Sequence, residues 1–275
     1  MYTGLKRNKT DKTDKFYTKI HIAQECIDLF HKNIKPNNND IIIEPSAGNG
    51  SFSNIILKKY KKNKTYFYDI DPYDKTIIKQ DYLLIKNIKH HKKIHVIGNP
   101  PFGRQSSLAR KFIKKSAEYA DTIAFILPKS FKKDSFKKTF PLNFHLLCEI
   151  DLDKNSFIIM NKDHDVPCIF QIWKKKKKYR ALVKKVEPKY FTYVKKEELH
   201  DFSLRRVGVN AGCIDCDTKD KSFQSHYFIK LNSNINKDTF LKEYNKLEFE
   251  HNNTVGPKSI SKQQFNKKIN KIEFI

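Results

Sequence analysis

The sequence predicts an α/β fold in which a parallel sheet is wound on both faces, followed by a smaller C-terminal α+β region. Short β-type runs alternate with helical segments between residues 20 and 173. The connections between these runs are long enough for the crossovers that parallel strands require. The run Lys174–Lys178 then marks a boundary, because adjacent like charges repel one another and stay solvated unless phosphates pair with them.

The elements of the first region follow from apolar periodicity and from the residues that interrupt it. Apolar side chains recur at helical spacing over 20–30, and the polar run 36–40 ends this helix. The chain then predicts, in order, a strand at 41–43, a helix from 52, strands at 66–70 and 94–97, a helix at 106–120, and strands at 121–128, 144–150 and 166–173. The segment Asp163-His164-Asp165 is expected to be a hairpin loop, although an acid/base cluster is the alternative.

Three parts are expected along the chain. Residues 1–14 are polar and lysine-rich and should form a flexible basic arm that could touch phosphates. Residues 15–178 hold the predicted sheet, and residues 179–275 form the C-terminal region, where 222–231 predicts a strand.

Composition points to an anionic macromolecule as partner. The chain has 55 Lys+Arg against 30 Asp+Glu, a formal charge of +25, which favours nucleic acid. A solvated basic surface without a partner is the alternative. No apolar run approaches the ~20 residues that cross a bilayer, so no membrane association is expected. Five cysteines, an odd number, favour reduced thiols, and we expect an intracellular protein, in cytoplasm or nucleus.

A turn rich in hydrogen-bond acceptors follows the strand predicted at 94–97. Asn99-Pro100-Pro101-Phe102 ends that strand, and neither proline has an N–H to donate. The two hydrogens of an exocyclic amino group could bond to the Asn99 side chain and the Pro100 carbonyl while Phe102 stacks on the base. An ordinary proline turn that closes a buried strand is the alternative.

Polar loops close the neighbouring strands in the same order. Glu44 is followed by the small-residue loop 45–50, which lets a backbone approach a ligand at the carboxyl edge of a parallel sheet. Asp69 closes the next strand, and Asp81 follows shortly after it. Together with the Asn-Pro-Pro-Phe turn, these loops form a more specific set than any of them alone.

With these motifs the chain resembles the class I S-adenosylmethionine-dependent methyltransferases over roughly residues 15–175. The Asn-Pro-Pro-Phe turn is similar to that of the enzymes that methylate N6 of adenine in DNA or RNA. The resemblance implies a Rossmann-like sheet with an antiparallel pair of strands at one edge. It also implies S-adenosylmethionine as cofactor.

The resemblance assigns six residues to the cofactor, in chain order Glu44, Ala47, Gly48, Asp69, Asp81 and Tyr82. The first three would line its methionine end, and Asp69 would accept the ribose hydroxyls. Asp81 would accept from the adenine amino group, with a backbone or ring contact from Tyr82 beside it.

Further residues are assigned to the target base and to a cover over the cofactor. Asn99, Pro100, Pro101 and Phe102 would hold the base, with Asn99 also next to the cofactor. The segment Phe16-Tyr17-Thr18 resembles the one that covers the cofactor in many adenine-specific DNA methyltransferases. Lys19 departs from that pattern, since proline is usual there.

The C-terminal region interleaves basic and aromatic residues. Arg205 and Arg206 precede a glycine-punctuated loop, and the aromatic residues nearby in sequence are Phe202, Phe223, Tyr227 and Phe228. Phosphate contact and base stacking require such groups, although a structural loop is an equal alternative. Cys213 and Cys216 lack a second cysteine pair, and His226 is the only near candidate, so no metal site is predicted.

Three functions are compatible with these observations. The first is an adenine-N6 methyltransferase acting on DNA, which the Phe-Tyr-Thr segment and the position of the C-terminal region favour slightly. The second is the same chemistry on RNA, favoured by the small size of that region. The third is a catalytically silent nucleic-acid-binding subunit, or one that requires a partner subunit. Protein glutamine methylation also uses an Asn-Pro-Pro turn, but tyrosine usually closes it.

Overall fold

The computed structural model describes residues 16–73, 75–86, 91–159, 162–249 and 258–274. The predicted arm at 1–14 lies outside these ranges. Two compact units divide the chain between Leu182 and Val183, and they are called unit 1 and unit 2 below.

Unit 1 contains ten strands and four helices in its described part. The strands are β1 Tyr17–Thr18, β2 Ile41–Glu44, β3 Lys64–Asp69, β4 Ile78–Lys79, β5 Ile94–Gly98, β6 Thr122–Pro128, β7 Phe144–Asp151, β8 Phe157–Ile159, β9 Lys162–His164 and β10 Cys168–Lys175. The helices are α1 Ile20–Ile34, α2 Ser53–Lys59, α3 Ser107–Ala117 and α4 Asp134–Lys137. Short 3-10 turns lie at Tyr82–Leu84, Arg104–Ser106 and Lys129–Lys132.

Seven of these strands form the central sheet, in the order β4-β3-β2-β5-β6-β10-β7. The five strands from β4 to β6 are parallel, and β10 is antiparallel to both of its neighbours. This topology confirms the predicted Rossmann-like sheet with an antiparallel edge pair. The carboxyl ends of the parallel strands meet along one side of the sheet, which we call the carboxyl edge.

The central strands are buried along their whole length. Every residue of β2, β5 and β6 is buried, which is the pattern of strands covered by helices on both faces. The first helix, α1, extends four residues beyond the predicted end and stops at Lys35, which adopts a left-handed conformation before Pro36. The apolar runs of the sequence therefore locate this core correctly.

A second, three-stranded sheet differs from the prediction. Two residues of the segment expected to be a loop at 163–165, Asp163 and His164, instead belong to β9, which pairs with β8. β8 in turn pairs with β1, where Thr18 lies opposite Phe157. Pairing with the apolar strand β8, and not the local sequence, makes the polar segment β9 extended.

Unit 2 is an antiparallel sheet with two helices and its own core. The strands are β11 Phe191–Val194, β12 Phe202–Arg205, β13 Ile214–Asp215 and β14 His226–Leu231, and the helices are α5 Lys237–Tyr244 and α6 Lys262–Ile269. The strand order is β11-β14-β12-β13. Phe202, Phe240 and Phe265 are fully buried in this core. The α+β character predicted for the C-terminal region is thus present in unit 2.

Candidate active site

Hydrogen bonds tie together the loops at the carboxyl edge. The Ser46 hydroxyl donates to the carbonyl of Asn99 over 3.0 Å, which joins the loop after β2 to the turn after β5. The Gly48 N–H donates to Asp69 Oδ2 over 2.8 Å, which joins the loop after β2 to the end of β3. These loops therefore form one continuous site, as the sequence order of the motifs predicts.

The Asn99 side chain is held by its amide nitrogen. Nδ2 donates to the carbonyl of Phe16 at 3.3 Å and to the hydroxyl of Thr18 at 3.1 Å. Because a backbone carbonyl can only accept, the nitrogen must face Phe16 and the oxygen must face away from it. Asn99 Oδ1 is buried and has no hydrogen-bond partner. A buried, unpaired acceptor with a fixed orientation is suited to a ligand that carries N–H donors.

No hydrogen bond to the Pro100 carbonyl is found within the described ranges. The Phe102 carbonyl, in contrast, accepts from the N–H groups of Leu108 and Ala109 at the start of α3. The turn is thus anchored at Phe102, whereas Asn99 Oδ1 and the Pro100 carbonyl, at its start, have no hydrogen-bond partner among the described residues.

Aromatic rings pack around Phe16, whose carbonyl accepts from Asn99. The rings of Phe16 and Phe102 have centroids 6.4 Å apart and planes 20° from parallel. Phe16 also lies 6.4 Å from Phe157 on β8 and 5.4 Å from His164 on β9, between ring centroids. Phe102, predicted to stack on the base, is thus largely buried and packed beside Phe16.

The segment Phe16-Tyr17-Thr18 is fixed by the small sheet. Lys19, which stands where proline is usual, donates its N–H to the carbonyl of Ser156 over 3.0 Å and forms an ion pair with Asp163 at 2.8 Å. Proline could make neither contact. The departure from the family pattern thus contributes to holding this segment against β8 and β9.

Gly48 adopts a conformation that suits glycine. Its φ is +53°, and a Cβ placed on it would lie 3.2 Å from Tyr17 Cε1. The ring of Tyr17 therefore packs closely on the loop. The adjacent Ala47 donates its N–H to the carbonyl of Tyr68 over 2.9 Å, so the loop follows the end of β3.

Glu44 is a buried carboxyl without a matching charge. Only 1% of its surface is exposed, and its Oε2 has no hydrogen-bond partner. Burial and the nearby Asp69 raise the pKa of Glu44 well above its ordinary value. Gly98 contributes space for this side chain, because a Cβ on Gly98 would lie 3.2 Å from Glu44 Cγ. A carboxyl in this environment favours a ligand that brings a positive charge.

Asp81 and Tyr82, the remaining two residues predicted to contact the cofactor, have different surroundings. Asp81 Oδ1 accepts from the N–H of Leu83 over 2.8 Å and caps the following 3-10 turn. Tyr82 is buried, its hydroxyl bonds to Ser116 over 2.7 Å, and its ring stacks on Phe112 with centroids 5.5 Å apart. The Tyr82 ring thus belongs to the core, which argues against the ring contact, and the backbone contact stays a prediction.

Two exposed apolar side chains next to the acidic residues escaped the sequence reasoning. Ile70, directly after Asp69, is 55% exposed, and Leu84, three residues after Asp81, is 68% exposed. Ile70 and Leu84 would offer apolar surface to the faces of a ring bound between Asp69 and Asp81. An apolar residue directly after an acidic strand end is the signal that could have identified Ile70.

The lysine run Lys174–Lys178 lies on the side of the sheet opposite the site. Lys174 pairs with Thr122, the first residue of β6, whereas the carboxyl edge lies at Pro128. Because β10 runs antiparallel, its end is remote from Asn99. The run is therefore placed as the connection toward unit 2 and not beside the target turn.

Lysines at the carboxyl edge itself are partly neutralised. Lys129 and Lys132, in the turn after β6, both pair with Asp151, at 3.2 and 2.6 Å. Two cations on one carboxylate leave this turn with excess positive charge beside the site.

The residues singled out in unit 2 separate into core and surface. Phe202 and Phe228 are buried. Arg205 donates from Nε to the carbonyl of Val207 over 3.2 Å, whereas the guanidinium of Arg206 lies 5.4 Å from the ring centroid of Tyr227. Phe223 and Tyr227 remain accessible to a ligand, as neighbours of a groove described below.

Within the described ranges, no group of three or more His, Cys, Asp or Glu side chains could hold a metal ion. Cys213 and Cys216 are exposed free thiols. No helix in the described part of the chain is long and apolar enough to cross a membrane.

Comparison with protein-family models finds no match, and comparison with curated proteins finds none either. Solved structures with a similar fold include a candidate RNA methyltransferase from Pyrococcus horikoshii, at 17% identity and a TM-score of 0.44, covering 62% of this chain and 90% of that one. A type I restriction-modification methyltransferase subunit from Streptococcus thermophilus matches at 14% identity and a TM-score of 0.46, covering 61% of this chain and 46% of that one. A dimethyladenosine transferase from Plasmodium falciparum matches at 16% identity and a TM-score of 0.39, covering 59% of this chain and 64% of that one. Likenesses this low say nothing about the reaction, so function must be argued from the side chains of the site.

Proposed function

We propose that unit 1 is a class I S-adenosylmethionine-dependent methyltransferase. Its methyl acceptor is proposed to be N6 of adenine in nucleic acid, with DNA slightly favoured over RNA. The observation that carries this proposal is the buried Asn99 Oδ1, which is held in one orientation by two donor bonds of its own amide and has no partner.

The acceptors of the turn match an exocyclic amino group. Asn99 Oδ1 and the Pro100 carbonyl can each accept one of its two hydrogens. Accepting both hydrogens draws the nitrogen toward tetrahedral geometry, so that its lone pair no longer conjugates with the ring. Phe16 and Phe102 supply apolar surface for the base, and a duplex substrate would need that base extruded at a cost of a few kcal/mol.

The residues around the loop after β2 fit S-adenosylmethionine. The unpaired Glu44 carboxyl, at the end of β2, suits the ammonium group at the methionine end. We propose that Asp69 accepts from the ribose hydroxyls and Asp81 from the adenine amino group, with Ile70 beside the ring. The cofactor, when bound, supplies an electrophilic sulfonium methyl group.

The chain itself contributes positioning more than acid or base chemistry. Sulfonium is a good leaving group, so the protein needs only to orient the amine, exclude water and enrich its lone pair. Asn99 and Pro100 orient the amine. The packed Phe16-Tyr17-Thr18 segment excludes water above the loop.

Nucleic acid as the polymer is supported by charge. The formal charge of +25 and the excess cations of the turn after β6 favour a polyanion. We propose that residues 179–275, including Arg206, contact nucleic acid away from the target base. A partner subunit is part of this proposal only if the isolated chain binds cofactor and fails to transfer methyl.

The test is methyl transfer from labelled S-adenosylmethionine to matched DNA and RNA pools, followed by digestion to nucleosides and mass identification. N6-methyladenine in the DNA pool is expected, and in the RNA pool alone it would reassign the polymer. Methylation at another atom, or transfer to protein glutamine, would contradict the proposal. Transfer to neither pool, with cofactor bound, would indicate a silent or partner-dependent subunit.

A further inference from the structure

Unit 2 contains a groove of about 370 Å³ between β11, β14 and the start of α6. Tyr193, Tyr227 and Phe223 provide its aromatic lining. Its charged lining consists of Lys195, Lys196 and Lys262 against one acidic residue, Glu197. The groove is thus both aromatic and positively charged.

Lys262, which lines the groove, and Arg206, which lies next to the groove residue Tyr227, are both held against tyrosine faces. Lys262 Nζ lies 4.1 Å from the ring centroid of Tyr193 and 5.4 Å from that of Tyr227, and Arg206 lies 5.4 Å from Tyr227. Among the described residues, neither Lys262 nor Arg206 forms an ion pair with a carboxylate. Burial and the neighbouring Arg206 lower the pKa of Lys262. An external anion would relieve the repulsion between Lys262 and Arg206.

The Tyr193 side chain is also fixed through its hydroxyl group. Its hydroxyl donates to Asn266 Oδ1 over 2.8 Å. Rings that are already fixed lose little entropy when a ligand binds.

Phe223 is presented to solvent by an ordered turn. The N–H groups of Ser225 and His226 both donate to the carbonyl of Ser222 over 3.0 Å, which closes the turn around Phe223. The side chain is nevertheless 70% exposed. A large apolar ring held in water beside cations has the features of a stacking platform.

We propose that this groove binds single-stranded nucleic acid, with a base stacked on Phe223 and a backbone phosphate bound between Lys262 and Arg206. The inference rests on the proposed function only in taking nucleic acid as the ligand class. It adds a second contact, outside unit 1, that recognises an unpaired segment.

An unpaired strand fits the groove better than a duplex does. Bases within a duplex are already stacked on one another and cannot offer a face to Phe223. An acidic peptide would use the cations but would leave Phe223 unused and would meet Glu197. These differences make the three ligands distinguishable by experiment.

The experiment is fluorescence anisotropy of the full chain, without cofactor, using a labelled single-stranded 12-mer and its duplex. We expect the single strand to bind more tightly. Phe223→Ala should weaken its binding by about 5-fold or more, since loss of one base–aromatic stack has roughly that effect. Lys262→Gln should weaken binding and reduce the salt slope by about 0.7.

Two controls keep the result specific. Lys271→Gln removes the same charge just after the opposite end of α6, roughly 13 Å along the helix axis, and should change binding by less than about 2-fold. Phe223→Tyr keeps the stacking surface and should retain binding. Photocrosslinking of a thiouridine-containing 12-mer should label residues 193–197 or 221–227.

The proposal is overturned if the duplex binds as tightly as the single strand, if Phe223→Ala binds like the wild-type chain, or if polyglutamate competes as well as the 12-mer does. Asn99→Ala separates this inference from the proposed function, because it should lower methyl transfer at least 100-fold and leave the photocrosslinks of the 12-mer to unit 2 in place. Methyl transfer can therefore fail while groove binding persists, and groove binding can fail while methyl transfer persists.

Discussion

Replacing Asn99 with alanine should remove activity and leave stability almost unchanged. The substitution deletes two donor bonds from Nδ2, to Phe16 and Thr18, each contributing about 0.5–1.5 kcal/mol. It also deletes the buried Oδ1, which has no partner in the folded chain and whose burial costs about 1–3 kcal/mol. The two effects are of similar size and opposite sign, so the free energy of unfolding should change by less than about 1 kcal/mol.

Methyl transfer by Asn99→Ala, in contrast to its stability, should fall strongly, because the variant lacks the acceptor that orients the amine. Removing one preorganised hydrogen-bonding group from an active site typically lowers kcat by about 10²–10³-fold. We therefore expect the cofactor Kd of Asn99→Ala to stay within about 3-fold of wild type while kcat falls at least 100-fold, which would attribute the loss to the reacting amine.

The assay pairs urea unfolding with single-turnover methyl transfer. Ser46→Ala is the matched control, because it deletes the 3.0 Å bond from Ser46 to the Asn99 carbonyl and leaves Oδ1 in place. This control should lose about 1 kcal/mol of stability and less than about 10-fold in kcat. Retention of a tenth or more of wild-type kcat by Asn99→Ala would refute the assignment of Oδ1 to the amine.

Three other substitutions test the cofactor side. Because the pKa of Glu44 is raised in the folded state, its ionisation destabilises the cofactor-free chain as pH rises. Glu44→Gln should therefore raise Tm at neutral pH. Calorimetry should also show that the cofactor affinity of this variant no longer increases with pH. An unchanged pH profile would place the ammonium group elsewhere. Asp69→Ala should weaken cofactor binding at least 10-fold, and wild-type affinity would exclude a ribose contact. Gly48→Ala should lose about 1–2 kcal/mol in urea unfolding, since its φ is +53° and its Cβ would press on Tyr17; an unaltered midpoint would contradict that packing.

Most of unit 1 could be predicted because its signals are local. Strand β6 is an uninterrupted apolar run from Ile123 to Leu127, and β5 is apolar except for His95. The turns that follow both strands are marked by proline or glycine. Antiparallel pairing at the sheet edge came from the family resemblance, and the register of β10 against β6 and β7 confirms it. Strand and helix ends were predicted less well, since capping and 3-10 turns shift them by a few residues.

The small sheet of β1, β8 and β9 could not be predicted. Its strands contain two or three residues each, and β1 is extended by pairing with β8, more than a hundred residues away in sequence. The same long-range pairing brings the carbonyl of Phe16 to Asn99, which decides which atom of that amide is left for a ligand.

The sequence by itself determined the succession of the parallel strands along the chain, the residues at their carboxyl ends and the excess of positive charge, because these depend on periodicity, on proline and glycine, and on composition. Tertiary structure alone decided that Asn99 Oδ1 and Glu44 Oε2 are buried without partners, that the Tyr82 ring belongs to the core, and that Lys174–Lys178 lie away from the site. It also brought Tyr193 and Lys262 together in unit 2. Burial and hydrogen-bond satisfaction depend on what the rest of the chain places around a residue, and no local pattern encodes that.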